Sequence, residues 1–595
     1  MLPPPPSLPA PSKRWIIREA CPLDFVQACL KIRSSSLPSV VPQLLWNRGI
    51  RNPDEVGSFF EPSYEQGLHD PFDFRNMRLA VDRLYRALRD QESMVVFGDY
   101  DADGITGSTV IISTLREIER RLHSDAPRES VVTSYIPHRD KEGYGLQMSA
   151  VEALANAGAR LIVTVDCGIA CVREIAEARQ RGIDVIVVDH HQFGEVLPDG
   201  ILIHPGLPGE TYPFKSLAAV GVAWKLACAL IHEARRRGLD LPEAFEQQLL
   251  DLVAVATITD IVPLVGENRV LEHYGLRALN HTSRLGLSAL IERAALRRGF
   301  INERDVGFAI GPRINAAGRM QHASLALRLL LAETEQEALE LSHTLESLNR
   351  ARQAATEKML KEAEQMLSEA SRPCKLHVLW CEHWSPALVG LVAGKLSDRY
   401  GLPAVAIGKH GSTWIGSGRS QPAYDITAAV RRVGDGLITR AGGHIQACGF
   451  SLSDDRHLPV FAERLQIDAE ERVKAEDIGP ALEVDAVLRL EDVDWPIVES
   501  ISAMGPFGSG NPEPTFLAQG LEIISSGTVG TLGRHLRFVA QSAGGVRRRF
   551  IAFNQGARSS EVAPGQVVDV VQRLSINEWN GNREIQCKVV DFRSA

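Results

Sequence analysis

The chain has 595 residues, too many for one hydrophobic core and enough for roughly three or four domains. With 44% hydrophobic and 23% charged residues it has a globular composition, and its net charge of -9 excludes holding a polyanion by a global positive field, so any such partner must meet local basic patches. No apolar run approaches the ~20 residues of a membrane helix. The proline-rich start MLPPPPSLPAPSKRW reads as a disordered leader without a signal-peptide core, and nine scattered cysteines suit reduced thiols in a cytosol.

From about Met94 to Asp260, apolar strands alternate with helical stretches. The strands are SMVVFGD, RLIVTVD and IDVIVVD, with a weaker VVTSYIP between the first two. Continuous Val/Ile runs bounded by turns predict strands buried on both faces, hence a parallel sheet covered by helices. The pattern turns helical after Gly221, and residues 332–370, free of Gly and Pro, predict one helix of roughly 55–60 Å. Its partial stripe of Leu341, Leu345, Leu348, Ala355 and Met359 lacks regular heptads, which favours a rigid connector over a coiled coil. A second α/β pattern follows at CKLHVLW and LPAVAIG, with the glycine-rich stretches GSGRS and AGGHIQACGF. From about Ile478 onward, LEIISSGTVG, HLRFVAQ, RRRFIAF, QVVDVVQRL and REIQCKVVDF predict a small antiparallel barrel.

Each of the three strong strands of the first pattern ends in aspartate, and in open α/β sheets ligands sit at the carboxyl ends of strands. The first is followed by GDYDADG, which puts Asp99, Asp101 and Asp103 on alternate positions where they repel one another. Asp166 closes VTVD, VVDHHQ supplies Asp189, His190 and His191, and Asp260 closes another apolar stretch at TITD. One aspartate ending a strand is commonly only a helix cap. Adjacent histidines at a strand end are uncommon core filler, and carboxylates with imidazoles and no thiolate favour Mn²⁺ or Mg²⁺ over structural zinc. Several acids share a site when cations cancel their charge, and two ions ~3.5–4 Å apart suit phosphoryl cleavage. Cys167 and Cys171 stand four apart with no second pair and read as packing thiols.

DYDADG, VDCG, VDHHQ and TDIVPL stand in the order of the motifs of the DHH-family phosphoesterases, which this chain resembles. GSGRS and GGHIQACGF resemble the DHHA1 domain that accompanies that family. PRINAAGRM, the long helix carrying LNRARQ, and PFGSGNPEPTF before a barrel resemble its bacterial branch of single-stranded-DNA-specific exonucleases. The resemblance implies an α/β fold with five parts. These are a leader and small helical region (1–60), a parallel-sheet DHH domain (61–330), a long connecting helix (331–371), an α/β DHHA1 domain (372–477) and an OB-fold β-barrel (478–595).

The resemblance also implies roles. Asp103, Asp166, His190 and Asp260 hold one metal, Asp101 and a bridging Asp166 the other, with His191 close to substrate or metal and all six catalytic. Asp189 orients His190, and Asp99 or water completes the second ion's shell, because many relatives have a histidine where Phe97 stands. Arg139, Arg313, Asn315 and Arg319 are expected on substrate phosphates. Ser417, Arg419 and His444 are expected as a terminal-phosphate clamp, with the nearby glycines admitting an anion to backbone N–H groups. A tryptophan–histidine pair is expected near CEHWSPALVG, but Ser385 follows Trp384 and His383 precedes it. Arg534, His535, Arg537, Arg547, Arg548, Arg549 and Trp579 are expected to meet single strands on the barrel.

The implied activity is metal-dependent hydrolysis of single-stranded DNA from the 5′ end to mononucleotides, in recombination and repair. The implied partners are single-stranded DNA, a single-stranded-DNA-binding protein and a RecQ-type helicase, in the cytoplasm. The rival readings are a phosphoesterase acting on short oligoribonucleotides, cyclic dinucleotides or pyrophosphate, and an inactive replication scaffold. The first rival is usually shorter and lacks the barrel; the second tends to lose the metal ligands, and every main ligand is present here.

Overall fold

The computed structural model describes residues 13–32, 37–123, 129–369, 374–579 and 581–595. Of the expected disordered leader, residues 1–15, the first twelve lie outside them, while Arg14 and Trp15 stand in a strand, which corrects that part of the expectation. The chain forms two compact units that do not follow chain order. One comprises Asp54–Ala351 and Met504–Glu513, and the other the described residues up to Pro53 together with Arg352–Ala503 and Pro514–Ala595.

The first unit is built on strands β1 (Met94–Gly98), β2 (Val132–Tyr135), β3 (Leu161–Val165), β4 (Asp184–Val188) and β5 (Ile201–Ile203). They form a five-stranded sheet in the order β2-β1-β3-β4-β5, and every pairing is parallel. The period of two sends Met94 and Val96 into one apolar cluster and Val95 and Phe97 into another, so both faces are covered. Helices α1 (Ala102–Leu122), α2 (Ala219–Arg236) and α3 (Leu250–Thr259) pack on the first face, and their hydrophobic side chains fill its core. The register sets Gly98 beside Val165 and Val165 beside Val188, so Asp99, Asp166 and Asp189 leave the sheet in one row.

Helix α4 (Gly311–Met320) follows a π-helical turn at Val306–Ile310. The expected connector is α5 (Glu335–Glu369), 35 residues or about 52 Å. It is shorter than the sequence pattern suggested because Thr334 sets its start: the hydroxyl accepts Glu337 N–H and the carbonyl accepts Ala338 N–H. Residues 335–351 belong to the first unit and those from 352 to the second.

The second unit carries a mixed sheet of β6 (His377–Cys381), β7 (Ala404–His410), β8 (Thr413–Arg419), β9 (Ile438–His444) and β10 (Ala447–Leu452), in the order β9-β10-β8-β7-β6. Helix α6 (Pro386–Tyr400) connects β6 to β7, which pair in parallel; the other pairings are antiparallel. Five strands, β11 (Phe516–Val529), β12 (His535–Gln541), β13 (Arg547–Ala552), β14 (Val567–Trp579) and β15 (Asn582–Ser594), run β11-β12-β13-β15-β14 and close through a β11–β14 pairing. Arg14–Ile17 adds a parallel strand to Ala481–Val484, and Asn47 Nδ2 donates to the Asp485 carbonyl at 3.0 Å. The N-terminal region therefore folds with the barrel side of the chain.

The segment PFGSGNPEP stands before the barrel strand that begins at Phe516, as expected, and its residues up to Glu513 belong to the first unit. Leu264 N–H donates to Ser509 O at 2.7 Å, and the Arg269 guanidinium donates to Gly505 O at 2.8 Å. These bonds brace the loop that follows Asp260.

Candidate metal centre and phosphate-binding residues

The carboxylates are fixed by backbone N–H groups before any cation is considered. Asp101 is the N-cap of α1, and its Oδ1 accepts Asp103 N–H at 3.0 Å and Gly104 N–H at 3.2 Å. Both Asp103 oxygens are held at the start of α2, by Ala219 N–H and Val220 N–H, each at 2.8 Å. Gly104 is required there, since a Cβ would stand 2.5 Å from Asp99 O. Asp166 leaves β3 with φ +63°, a left-handed conformation that aspartate tolerates better than most side chains. Asp260 caps the C-terminus of α3.

His190 Nε2 lies 3.3 Å from Asp166 Oδ1, 3.6 Å from Asp260 Oδ2 and 3.7 Å from Asp103 Oδ2. Three groups have ligand atoms within 4.8 Å of one another: Asp103, His190 and Asp260; Asp166, His190 and His191; and Asp99, Asp101 and Asp166. Asp166 belongs to two of them, with the histidines on one side and the acids on the other. Asp166 Oδ1, His190 Nε2 and Asp99 Oδ1 are buried and make no hydrogen bond. Buried polar atoms of this kind need a partner, and carboxylate oxygens with imidazole nitrogen suit Mn²⁺ or Mg²⁺. The residues fit such ions. Cys167 turns away, its thiol donating to Phe97 O at 3.9 Å.

The electrostatics express the same crowding. Burial first, then the Asp101 charge, pushes Asp103 up to about 7 and holds Asp99 well above the carboxylate range. Burial and Asp103 push Asp260 up to about 9 and raise Asp166 strongly. Burial and the neighbouring His191 lower His190 to about 4, leaving a neutral ring able to ligate.

The structure corrects the expectation for Asp189. Its Oδ1 lies 2.9 Å from His191 Nδ1 and reaches His190 only through that residue's backbone N–H, at 2.7 Å. Asp189 therefore orients His191. It works against the desolvation of burial to lift His191 to about 9, while His191 and Ile169 N–H hold Asp189 at about 2. Tyr144, which sequence reasoning missed, donates its hydroxyl to Asp166 O at 3.0 Å and lies 3.1 Å from His191 Nδ1. Its signal was the GYG that ends PHRDKEGYG, where Gly143 and Gly145 both have positive φ. Phe97 points to the other face of the sheet, stacked on Tyr135 at 5.3 Å, while Asp99 joins Asp101 and Asp166.

Among the residues expected on phosphates, Arg139 lies with its guanidinium 4.7 Å from the centre of the Tyr100 ring, between Asp99 and Asp101 in the chain. The Arg319 charge acts on the same tyrosine. Two of the expected residues have other work. Arg313 Nε donates to Glu346 on α5 at 2.7 Å, and its Nη1 to Ala309 O at 2.8 Å. Asn315 Oδ1 accepts Ala102 N–H at 2.9 Å, tying α4 to the first turn of α1.

GSGRS lies inside β8 rather than in a loop, which corrects the expected glycine cradle. Cβ atoms at Gly416 and Gly418 would meet the Phe450 ring at 2.2 Å and Ile426 Cγ1 at 2.7 Å, so both glycines admit packing side chains. The backbone of Ser417 is paired with Ala406 on one side and Gly449 on the other. The Ser417 hydroxyl accepts from Arg419 Nη1 at 2.8 Å and donates to Cys448 O at 3.0 Å. His444 stands opposite Ala447, and Ala447 opposite Arg419, so Arg419 and His444 share a face. Gly390 of α6 makes room there, since its Cβ would lie 3.2 Å from both Arg419 Nη2 and Ser417 Oγ. His383 and the Trp384 indole both meet Glu362 Oε2, at 2.9 and 2.8 Å.

On the barrel, Arg537 and Arg549 line a cavity of about 360 Å³ with Ser525–Val529, Phe538 and Val539. Arg547 is exposed two residues before Arg549 on β13. Arg548 turns to Val493 O at 2.6 Å, His535 packs edge-on against Phe553, and Arg534 is exposed after a short 3₁₀ turn. The Trp579 side chain lies outside the described residues.

Three family models match: the DHH family N-terminal domain over residues 93–257, the DHHA1 domain over 374–470 and the RecJ OB domain over 484–591. The single-stranded-DNA-specific exonuclease RecJ of Bacillus subtilis is 36% identical over 555 residues, covering 93% of this chain and 67% of that protein. The RecJ of Escherichia coli is 32% identical over 570 residues, covering 93% of this chain and 95% of that protein. The crystal structure of RecJ in complex with Mn²⁺ from Thermus thermophilus superposes with a TM-score of 0.81 at 31% identity, covering 98% of this chain and 80% of that one. Its complex with Mg²⁺ gives 0.75 at 30% identity, covering 98% and 78%.

Proposed function

This chain belongs to the RecJ family, and we propose that it is a metal-dependent exonuclease that hydrolyses single-stranded DNA from the 5′ end to mononucleotides, in recombination and repair. The observation that carries the reading is the pair of unpartnered atoms, Asp166 Oδ1 and His190 Nε2, 3.3 Å apart where the donor groups meet.

In this reading Asp103, Asp166, His190 and Asp260 hold one cation, and Asp101 with Asp166 and Asp99 the other. Divalent ions, when bound, supply charge neutralisation at the phosphoryl oxygens and acidify water. The protein's own part is positional. Backbone N–H groups lock Asp101 and Asp103 before the substrate arrives, so little reorganisation accompanies the reaction. His191, tied at Nδ1 to Asp189, presents Nε2 as a proton donor to the phosphate or leaving oxygen. Arg139 and Arg319 grip flanking phosphates, while Ser417, Arg419 and His444 receive the terminal one. The barrel groove with Arg537 and Arg549 takes the strand through charge. A single-stranded-DNA-binding protein and a RecQ-type helicase are proposed partners, and the cytoplasm the proposed compartment. Among the described residues no helix is long and apolar enough to cross a membrane.

The test is digestion of 5′- and 3′-labelled single strands, blunt duplex, tailed duplex and RNA with Mg²⁺ or Mn²⁺, then with chelator. The expected result is mononucleotide release from the 5′ end of single strands only, abolished by chelation. Release from 3′ ends, or activity that survives chelation, overturns the reading.

A further inference from the structure

Outside the metal centre, the second unit contains a nucleophile, a base and a carboxylate in contact. Cys381 ends β6, and its Sγ lies 3.1 Å from His383 Nδ1. The other ring nitrogen, Nε2, is 3.7 Å from that sulfur and 2.9 Å from Glu362 Oε2 on α5. Glu362 is held in turn by the indole N–H of Trp384 at 2.8 Å, and Trp384 is buried. The tautomer follows from these contacts. A carboxylate accepts only, so Nε2 carries the proton and Nδ1 is the unprotonated nitrogen. The two sulfur distances set Sγ over the ring face, and a tilt of the exposed ring turns the Nδ1 lone pair to the thiol. Cys381 is half-buried and His383 is 62% exposed, so small molecules reach the pair.

The same unit supplies its own contrast. Cys374 Sγ lies 3.3 Å from His377 Nδ1, but His377 Nε2 is buried with no hydrogen-bond partner. Among the described residues no carboxylate fixes that ring.

We propose that Cys381 is a modification site for small electrophiles, with His383 as its base and Glu362 as a positioning residue for that base. Toward a hydroperoxide, the sulfur attacks one peroxide oxygen; an S–O bond forms and the O–O bond breaks. His383 takes the thiol proton and returns it to the departing oxygen, which leaves as water or an alcohol. The cysteine is oxidised by two electrons to a sulfenic acid and the peroxide is reduced. A small thiol then attacks that sulfur, forming the S–S bond and releasing water.

The experiment measures labelling of each cysteine in the full-length protein by iodoacetamide, and by hydrogen peroxide followed by dimedone, using peptide mass spectrometry. Cys381 is expected to react about tenfold or more faster than Cys374. His383→Asn should bring Cys381 down to the Cys374 rate, and Glu362→Ala should lower it with no further loss in the double variant, as expected for groups acting in series. Glu362→Gln, which keeps an acceptor for both N–H groups, should fall between, and thermal unfolding shows that each variant is folded. Equal rates at Cys381 and Cys374, an unchanged rate in His383→Asn, or a Glu362→Ala loss that persists without His383 overturns the proposal.

Discussion

Asp166 Oδ1 and His190 Nε2 face each other across 3.3 Å, both buried and neither hydrogen-bonded. A neutral imidazole lone pair and a carboxylate oxygen repel at that distance unless a proton or a cation lies between them. His190 Nε2 stands 3.6–3.7 Å from the Asp260 and Asp103 carboxylates and Asp166 Oδ1 3.6 Å from His191 Nδ1, and none of these neighbours hydrogen-bonds the pair. A cation between them would satisfy both atoms at once.

Asp166→Asn is the sharper test of this pair than alanine. Asparagine also tolerates the left-handed φ of +63°, so the backbone is retained while one charge and one ligand oxygen are lost. The expected outcome is loss of nuclease activity by a factor on the order of 10³ or more, with thermal stability of the chelated protein unchanged or raised. Near-normal turnover in Asp166→Asn removes this residue from the centre.

The chelated protein should lose stability as pH rises from 7 to 9. Asp260, raised to about 9, and His191, raised to about 9, each hold a proton in the folded state that the unfolded chain has released, so their contribution fades as pH climbs through those values. His190, lowered to about 4, acts in the opposite sense, but its contribution is complete once pH exceeds the ordinary histidine value near 6.5. Mn²⁺ should abolish the decline by replacing the protons. Asp260→Asn, which cannot ionise, should make it shallower in chelator, with the His191 share remaining, and leave the apoprotein more stable than wild type at pH 9. Melting temperatures across the pH series, with and without metal, decide this; an equally steep decline in the variant counts against it.

Tyr144→Phe removes a hydroxyl that donates to Asp166 O and lies beside His191 Nδ1, without emptying the space. The bond positions groups rather than reacting, and one such hydrogen bond is worth about 0.5–1.5 kcal/mol. We expect kcat to fall roughly three- to tenfold with metal affinity nearly unchanged. Single-turnover rates together with Mn²⁺ titrations separate the two. A large drop in metal affinity would reassign Tyr144 to the upkeep of the centre itself.

What was legible in the sequence was whatever depends on local period and chain order. Val/Ile runs ending in Asp99, Asp166 and Asp189 gave parallel strands, and parallel strands place their ends on one edge. Less legible were choices between adjacent side chains. VVDHHQ does not reveal which imidazole the Asp189 carboxylate reaches, because that depends on how the turn after β4 folds back. The glycines of GSGRS read as room for an anion at backbone N–H groups; the reason for them, the Phe450 ring and Ile426, comes from a neighbouring strand and a helix. Partners far along the chain were invisible. Arg313 meets Glu346 on a helix two elements later, and Arg14–Ile17 pairs with Ala481–Val484.

Arg419 separates end recognition from chemistry. It shares a strand with Ser417 and a sheet face with His444, and Gly390 leaves the space beside its guanidinium. If this group receives the terminal phosphate, Arg419→Ala should raise KM and narrow the preference for 5′-phosphate over 5′-hydroxyl ends, leaving metal affinity unchanged. Loss of one charge-assisted contact is worth roughly 1.5–3 kcal/mol, or about ten- to a hundredfold in kcat/KM. Arg419→Lys should recover only part, since an ammonium keeps the charge without the planar fork. Ser417→Ala should show a smaller defect of the same kind, because the hydroxyl accepts from the arginine and steadies it. If β8 is only scaffold, these variants lower the melting temperature and leave the ratio of rates on the two end types as it was. Rates on both end types, measured beside thermal unfolding for all three variants, decide between these outcomes, and an unaltered end preference excludes Arg419 from the clamp.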